Sequence, residues 1–170
     1  MSRVELSPDK IEAEALWAFC LALYARSEVE AACLNLQDEY GFDVMIVLFC
    51  IYAGHKGQKL SAKTLEQAAE IGREWGRNIV GPLRLVRRRL KNNIPAAVDP
   101  HDAYQLRTRL QALEQDAERI QHEQLFKLIA GSAPPSQAAA RANLVSYAGK
   151  LGVSPPEEFD LLLKAAFPRG

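Results

Sequence analysis

The sequence predicts an all-α protein: a single helical bundle of about six or seven helices, with a kinked basic helix near Pro82. Three observations carry this. Apolar residues recur at three- and four-residue steps along most of the chain. Ser, Asp, Pro and Gly punctuate those runs where helix ends need them. The one strand-like run, 42–53, has no second strand to pair with, so it reads as a central buried helix.

Each element follows from its own signals. Ser7, Pro8 and Asp9 start a helix whose stripe is Leu16, Phe19, Cys20 and Leu23, ending near Arg26. Ser27 is the expected cap of a second helix, with Val29, Ala32, Cys33 and Leu36 inward and Gly41 as its stop. Asp43 is the natural N-cap of the apolar helix that follows, which Gly54 and Gly57 should close. Ser61 caps a long segment, 62–91, that Pro82 should kink or break near Val80. Asp99 and Pro100 open a helix to about Ala130, striped by Leu106, Leu110, Leu113, Ala117, Ile120 and Leu125. Ser136 opens a shorter helix that stops at Gly152. Ser154 with Glu157 reads as a capping box for a last helix to Phe167. Residues 1–131 are expected to form the bundle. Residues 132–170 are expected to be a C-terminal helical appendage packed on or extending the same domain.

Composition bounds the function. The chain has 170 residues, 48% of them hydrophobic and 25% charged, with 21 basic and 21 acidic side chains. That excludes disorder and a disulfide scaffold. Cys20, Cys33 and Cys50 sit in apolar helical patterns, where a thiol behaves as a small hydrophobe. The longest apolar run is far short of the ~20 residues that a membrane span needs. The start of the chain has no secretory pattern. A cytoplasmic protein with no membrane partner is therefore the expectation.

Charge is uneven. Residues 1–60 hold nine acids and five bases, whereas 61–98 hold three acids and eight bases. In a continuous helix Arg73, Arg77, Arg84, Arg88 and Lys91 share one face, with Arg87 and Arg89 at its flanks. Ile71, Trp75, Ile79, Val86 and Leu90 would run along the opposite, core side. This basic face could lie in salt bridges, meet an acidic protein surface, or grip phosphate. Sequence-reading motifs for nucleic acid are missing and net charge is zero, so nucleic acid is the weaker partner.

The second candidate region is Gln37, Asp38 and Asp43, polar residues between two apolar helices. Asp38 lies in a last helical turn, where the dipole disfavours an acid. It calls for a salt bridge to an arginine or a ligand-facing role. Glu118 and His122 are four apart, but paired Glu-x-x-His motifs are absent, so no metal site and no cofactor are expected. No catalytic motif is present. Trp17 and Trp75 read as core residues.

The segment Ala32-Cys33-Leu34-Asn35-Leu36-Gln37-Asp38-Glu39-Tyr40-Gly41-Phe42-Asp43-Val44, with Met45 to Phe49 after it, resembles the hallmark of an uncharacterised family of small proteobacterial helical proteins. A second stretch resembles the same family: Trp75 and Arg77, then Pro82-Leu83-Arg84 with Arg87, Arg88, Leu90 and Lys91. The resemblance spans most of residues 10–130. It departs at Met45, where family members often carry Asn, and at Tyr52, where they often carry Trp. It implies no activity.

The leading functional reading is a non-enzymatic protein-binding or adaptor module. Its candidate residues are Gln37, Asp38, Asp43, Arg77, Arg84, Arg87 and Arg88, the arginines docking an acidic partner. The alternative is a small-molecule or lipid-like binder, an enzyme included, with Gln37, Asp38 and Tyr40 beside the apolar 44–53 helix. Nucleic-acid association is the third. A homodimer through Phe159, Leu162, Leu163 and Ala166 is a further expectation.

Overall fold

The computed structural model describes residues 8–168, with side chains from residue 11. Its elements, among the described residues, are all helical. They are α1 (Pro8–Tyr24), α2 (Ser27–Tyr40), α3 (Val44–His55), α4 (Ala62–Ile71), a π-helical segment (Gly72–Val80), α5 (Gly81–Asn92), α6 (Pro100–Phe126), α7 (Gln137–Lys150) and α8 (Glu158–Ala166). The expected all-α class is the one found. The described residues divide into two compact units, 8–69 with 122–168, and 70–121.

In the first unit α3 is the centre. Every residue from Ile46 to Gly54 is buried, because the helix has no polar face to give to water. α1, α2 and α7 pack around it, and α8 packs on α2 and α7. The helix begins at Val44, two residues later than its apolar run. Asp43 caps it, accepting from the Met45 N–H at 2.9 Å. Gly54 does not close the helix, as the sequence suggested. It lies inside the last turn, where a Cβ would stand 2.4 Å from the Cβ of Ala140. The glycine is there because the α7 backbone passes in contact. Gly57, at φ +66°, makes the actual stop.

Beyond that stop, the chain before α7 is bound to the end of α3. The Ser136 N–H donates to Gly54 O (2.8 Å) and the Ala133 N–H to Lys56 O (2.9 Å). Asn143, buried in α7, completes the clamp. Its amide donates to Cys50 O and Gln58 O, and its oxygen accepts from the Leu60 N–H (2.8 Å). These bonds give a buried side-chain amide and an irregular backbone the partners they need. Residues 132–168 thus contribute α7 and α8 to the first unit's interior.

The other expected caps divide. Ser61, Asp99 and Ser136 make their side-chain bonds, to the N–H groups of Thr64, His101 and Ala139. Ser27 does not cap α2: the extended residue is Arg26, and Ser27 is already in the first turn. Ser154 makes no capping box, because the chain first turns through Pro156 and Glu157 before α8 begins. α6 ends at Phe126, short of Ala130. The expected Ser7 cap and the Asp9 side chain lie outside the described residues. Phe159, Leu162, Leu163 and Ala166, expected as an exposed stripe, are all buried, since α8 turns that face inward. All three cysteines are buried and free. Burial pushes the Cys33 thiol up to about 12 and those of Cys20 and Cys50 further still.

Gly54→Ala should cost about 1–3 kcal/mol, since the new methyl must force α3 and α7 apart. Gly149→Ala, whose Cβ would meet open space, should be near neutral or better. Urea unfolding of both variants checks the contrast.

Candidate functional site

The family-like motif of α2 and α3 builds a corner. Gly41, at φ +73°, ends α2, with its N–H on Gln37 O and the Phe42 N–H on Leu36 O. Phe42 is 2% exposed and meets Tyr147 and Phe159 edge-on, with ring centroids 5.4 and 5.5 Å apart. The Asp43 N–H donates to the Tyr147 hydroxyl at 3.1 Å. Burial pushes that hydroxyl's pKa up, so it is neutral in the working pH range. The residues of the motif therefore join α2 and α3 to α7 and α8.

Gln37 and Asp38 stand at the margin of this corner. Asp38 is exposed and accepts from Gln37 Nε2 at 3.4 Å. The expected arginine bridge to Asp38 is not made among the described residues. Water solvates the exposed carboxylate, so it needs no ion partner. Tyr40 is also exposed, whereas the apolar part of α3 is buried.

The arginines lie in the second unit, and the π segment decides how they point. Pro82 has no N–H to give, and its ring crowds the carbonyl four residues back. The turns before it are wound in the wider register, and the Gly81 N–H reaches Gly76 O, five residues back. Nine residues of wider winding rotate α5 away from the α-helical phase of the residues before Ile71. The arginine row expected from a continuous helix is broken at this point. Its expected core side is broken too: Ile79 and Val86 are 41% and 46% exposed. Trp75 is half-buried and holds the π segment to α6, its indole N–H donating to Ala117 O at 2.8 Å.

α5 and α6 meet through charges. Arg84 Nε donates to Glu114 Oε1 at 2.8 Å, and its Nη2 donates to Glu118 Oε1 at 2.6 Å. Arg87 donates to both oxygens of Glu114, from Nε and from Nη2. The pairing of 84 with 118 and 87 with 114 makes the two helices antiparallel. Glu114 is only 5% exposed. Burial alone would raise its pKa, but the hydrogen bonds from Arg87 and Arg84 outweigh it and hold the carboxyl below its ordinary range. Glu118 goes the other way: desolvation outweighs Arg84 and raises it. For Arg84, desolvation opposes the charge, but its bonds to Glu114 and Glu118 prevail and the pKa rises.

The predicted basic residues are thus split. Arg84 and Arg87 are internal ion-pair partners. Arg77 and Arg88 are exposed, as are Arg89 and Lys91, and none of these four makes an ion pair among the described residues. Gln37, Asp38 and Asp43 are in the first unit and these arginines in the second. Glu114 is the residue that sequence reasoning passed over. Its signal was the matched spacing, Arg84 and Arg87 three apart and Glu114 and Glu118 four apart, on successive helices. No group of three or more His, Cys, Asp or Glu able to hold a metal ion occurs among the described residues. No helix among them is long and apolar enough to cross a membrane.

Glu114→Gln should lower stability at pH 7 by about 2 kcal/mol, since the part-buried guanidinium of Arg87 loses its anion and that of Arg84 keeps only Glu118. The sign with pH follows from the lowered pKa. The stabilisation is present above the ordinary carboxylate range and is lost as pH falls through it and below. The wild-type melting temperature should therefore fall more steeply than that of Glu114→Gln on acidification from pH 7 to pH 3.

Comparison with known proteins places the chain. The family described as "Protein of unknown function (DUF2390)" matches residues 15–125, and the chain belongs to that family. No curated protein and no solved structure matches it.

Proposed function

We propose that this family member is a non-enzymatic protein-binding module that docks an acidic segment of another protein on α5. One observation carries the reading. Of the arginines in the 84–89 run, two are held by Glu114 and Glu118, while Arg88 and Arg89 are exposed and make no ion pair among the described residues. Arg77 and Lys91 add two further exposed cations without an ion pair among the described residues. Guanidiniums kept in water are ready for carboxylates, which they bind in a planar, two-pronged geometry. Such contacts steer encounter and set specificity, and they weaken as salt is added.

The structure also chooses the variant. Reversing Arg84 would set a third carboxylate against Glu114 and Glu118 and damage the unit itself. Arg88→Glu/Arg89→Glu leaves that cluster intact. Affinity capture from native lysate, with and without nuclease, should return a partner on the wild type, lose it on this double variant, and leave the melting temperature within a degree or two. Capture that survives the double variant, or that disappears with nuclease, contradicts the reading.

A further inference from the structure

In residues 70–121 the space between α5 and α6 holds Arg84, Arg87, Glu114 and Glu118, and much of the apolar material is left outside. Of the fifteen large apolar side chains that are exposed among the described residues, nine fall in this stretch, which is under a third of the chain. Scattered aliphatics on a surface are ordinary; a row of them is not. On α6, Ala103, Leu106, Leu110, Leu113, Ala117 and Ile120 recur at alternating steps of three and four, the seam of a coiled coil. Ala103 and Ala117 are buried. Leu106, Leu113 and Ile120, seven residues apart, are 43%, 54% and 43% exposed.

Helical phase shows that α5 contributes to the same surface. At about 100° per residue, Leu113 precedes Glu114 by one step, and Val86 precedes Arg87 by one step. Glu114 and Arg87 face each other across antiparallel helices. Equal offsets in the same sense then land on the same side of the pair. Val86, 46% exposed, therefore joins the Leu106–Leu113–Ile120 row, and Arg88, one step the other way, stands on the opposite side. A two-helix layer with one apolar side is half of a four-helix bundle.

We propose that a second copy of this chain covers that side, its α6 antiparallel to the first about a two-fold axis at Leu113. The charges in the row select this occupant and this direction. Arg109 and Asp116, both exposed, flank Leu113 on its outer shoulder, four residues before it and three after. Antiparallel about Leu113, Leu106 meets Ile120 of the partner subunit, and Arg109 comes within one residue, about 1.5 Å of rise, of the level of Asp116 of the partner subunit, inside an arginine's reach. The two-fold repeats the ion pair, as a self-complementary patch requires. A parallel pairing would set Arg109 against its own copy. The inference is independent of the proposed docking on Arg88, which uses the other side of α5.

The test is sedimentation equilibrium on the full chain, with circular dichroism as a folding control. The wild type should reach twice 18.9 kDa. Leu113→Glu should stay at the single-chain mass with unchanged helicity, since Leu113 packs on little within its own chain. Asp116→Arg should weaken association about tenfold, and Arg109→Asp/Asp116→Arg, which swaps the pair, should restore it. A wild-type mass of 18.9 kDa at every concentration overturns the proposal, as does a dimer that Leu113→Glu leaves intact. A monomer whose Leu113 side takes up a different protein would assign the surface to a foreign helix and likewise overturn it. Arg88→Glu/Arg89→Glu should dimerise as the wild type does, so failure of this proposal and failure of the docking reading are told apart.

Discussion

A carboxylate that is 5% exposed must be answered, and in residues 70–121 Glu114 is answered twice. Arg87 and Arg84 both donate to it, and Arg84 carries the network on to Glu118. These two guanidiniums point the Arg84 and Arg87 side of α5 toward α6. Arg88 and Arg89 are turned to water and Val86 to the side that Leu106, Leu113 and Ile120 occupy. What the helix offers outward is thus set by what it spends inward. Ion pairs of this kind add little net stability over an apolar equivalent, yet removing one partner is costly. Their attested use is to fix register, and fixing the rotation of α5 is that use.

The two units are built on opposite principles. The first buries apolar surface around α3, which is apolar all round, and spends its few polar groups on joints. Asn143 satisfies two carbonyls and an N–H where the chain leaves α3, and Tyr147 accepts from the Asp43 N–H where the chain enters it. Gly54 lets α3 and α7 approach to backbone contact. The second unit buries charge between α5 and α6. Dispersion and area burial drive the one, and charge-assisted hydrogen bonds hold the other.

Legibility in the sequence followed the range of the interaction. The helical class and most helices were readable, because a period near 3.6 is written in consecutive residues. Caps were readable where the bond spans two or three residues, as at Asp43, Ser61, Asp99 and Ser136. They failed at Ser27 and Ser154, where the helix start lies one residue earlier and three residues later than the cap pattern implies, so that Arg26 and Glu157 stand at the caps. The arginine row failed for a subtler reason. Pro82 announced a disturbance, but the wider winding that absorbs it is a hydrogen-bond register over nine residues, and that register rotates α5. The apolar faces were visible and their coverings were not: the α8 face is buried in the first unit, while half of the α6 seam is exposed. The sequence asks of Asp38 an arginine or a ligand-facing role because its exposure is not visible there; in water the carboxylate needs no ion partner.

Glu114 is bonded to both arginines, and this network is what orients α5. A double-mutant cycle by urea unfolding, pairing Glu114→Gln with Arg84→Gln and separately with Arg87→Gln, tests it most directly. Coupling of about 1–3 kcal/mol is expected in each cycle, as for residues that share one buried network. Single-variant effects that simply add, within about 0.5 kcal/mol, would contradict it.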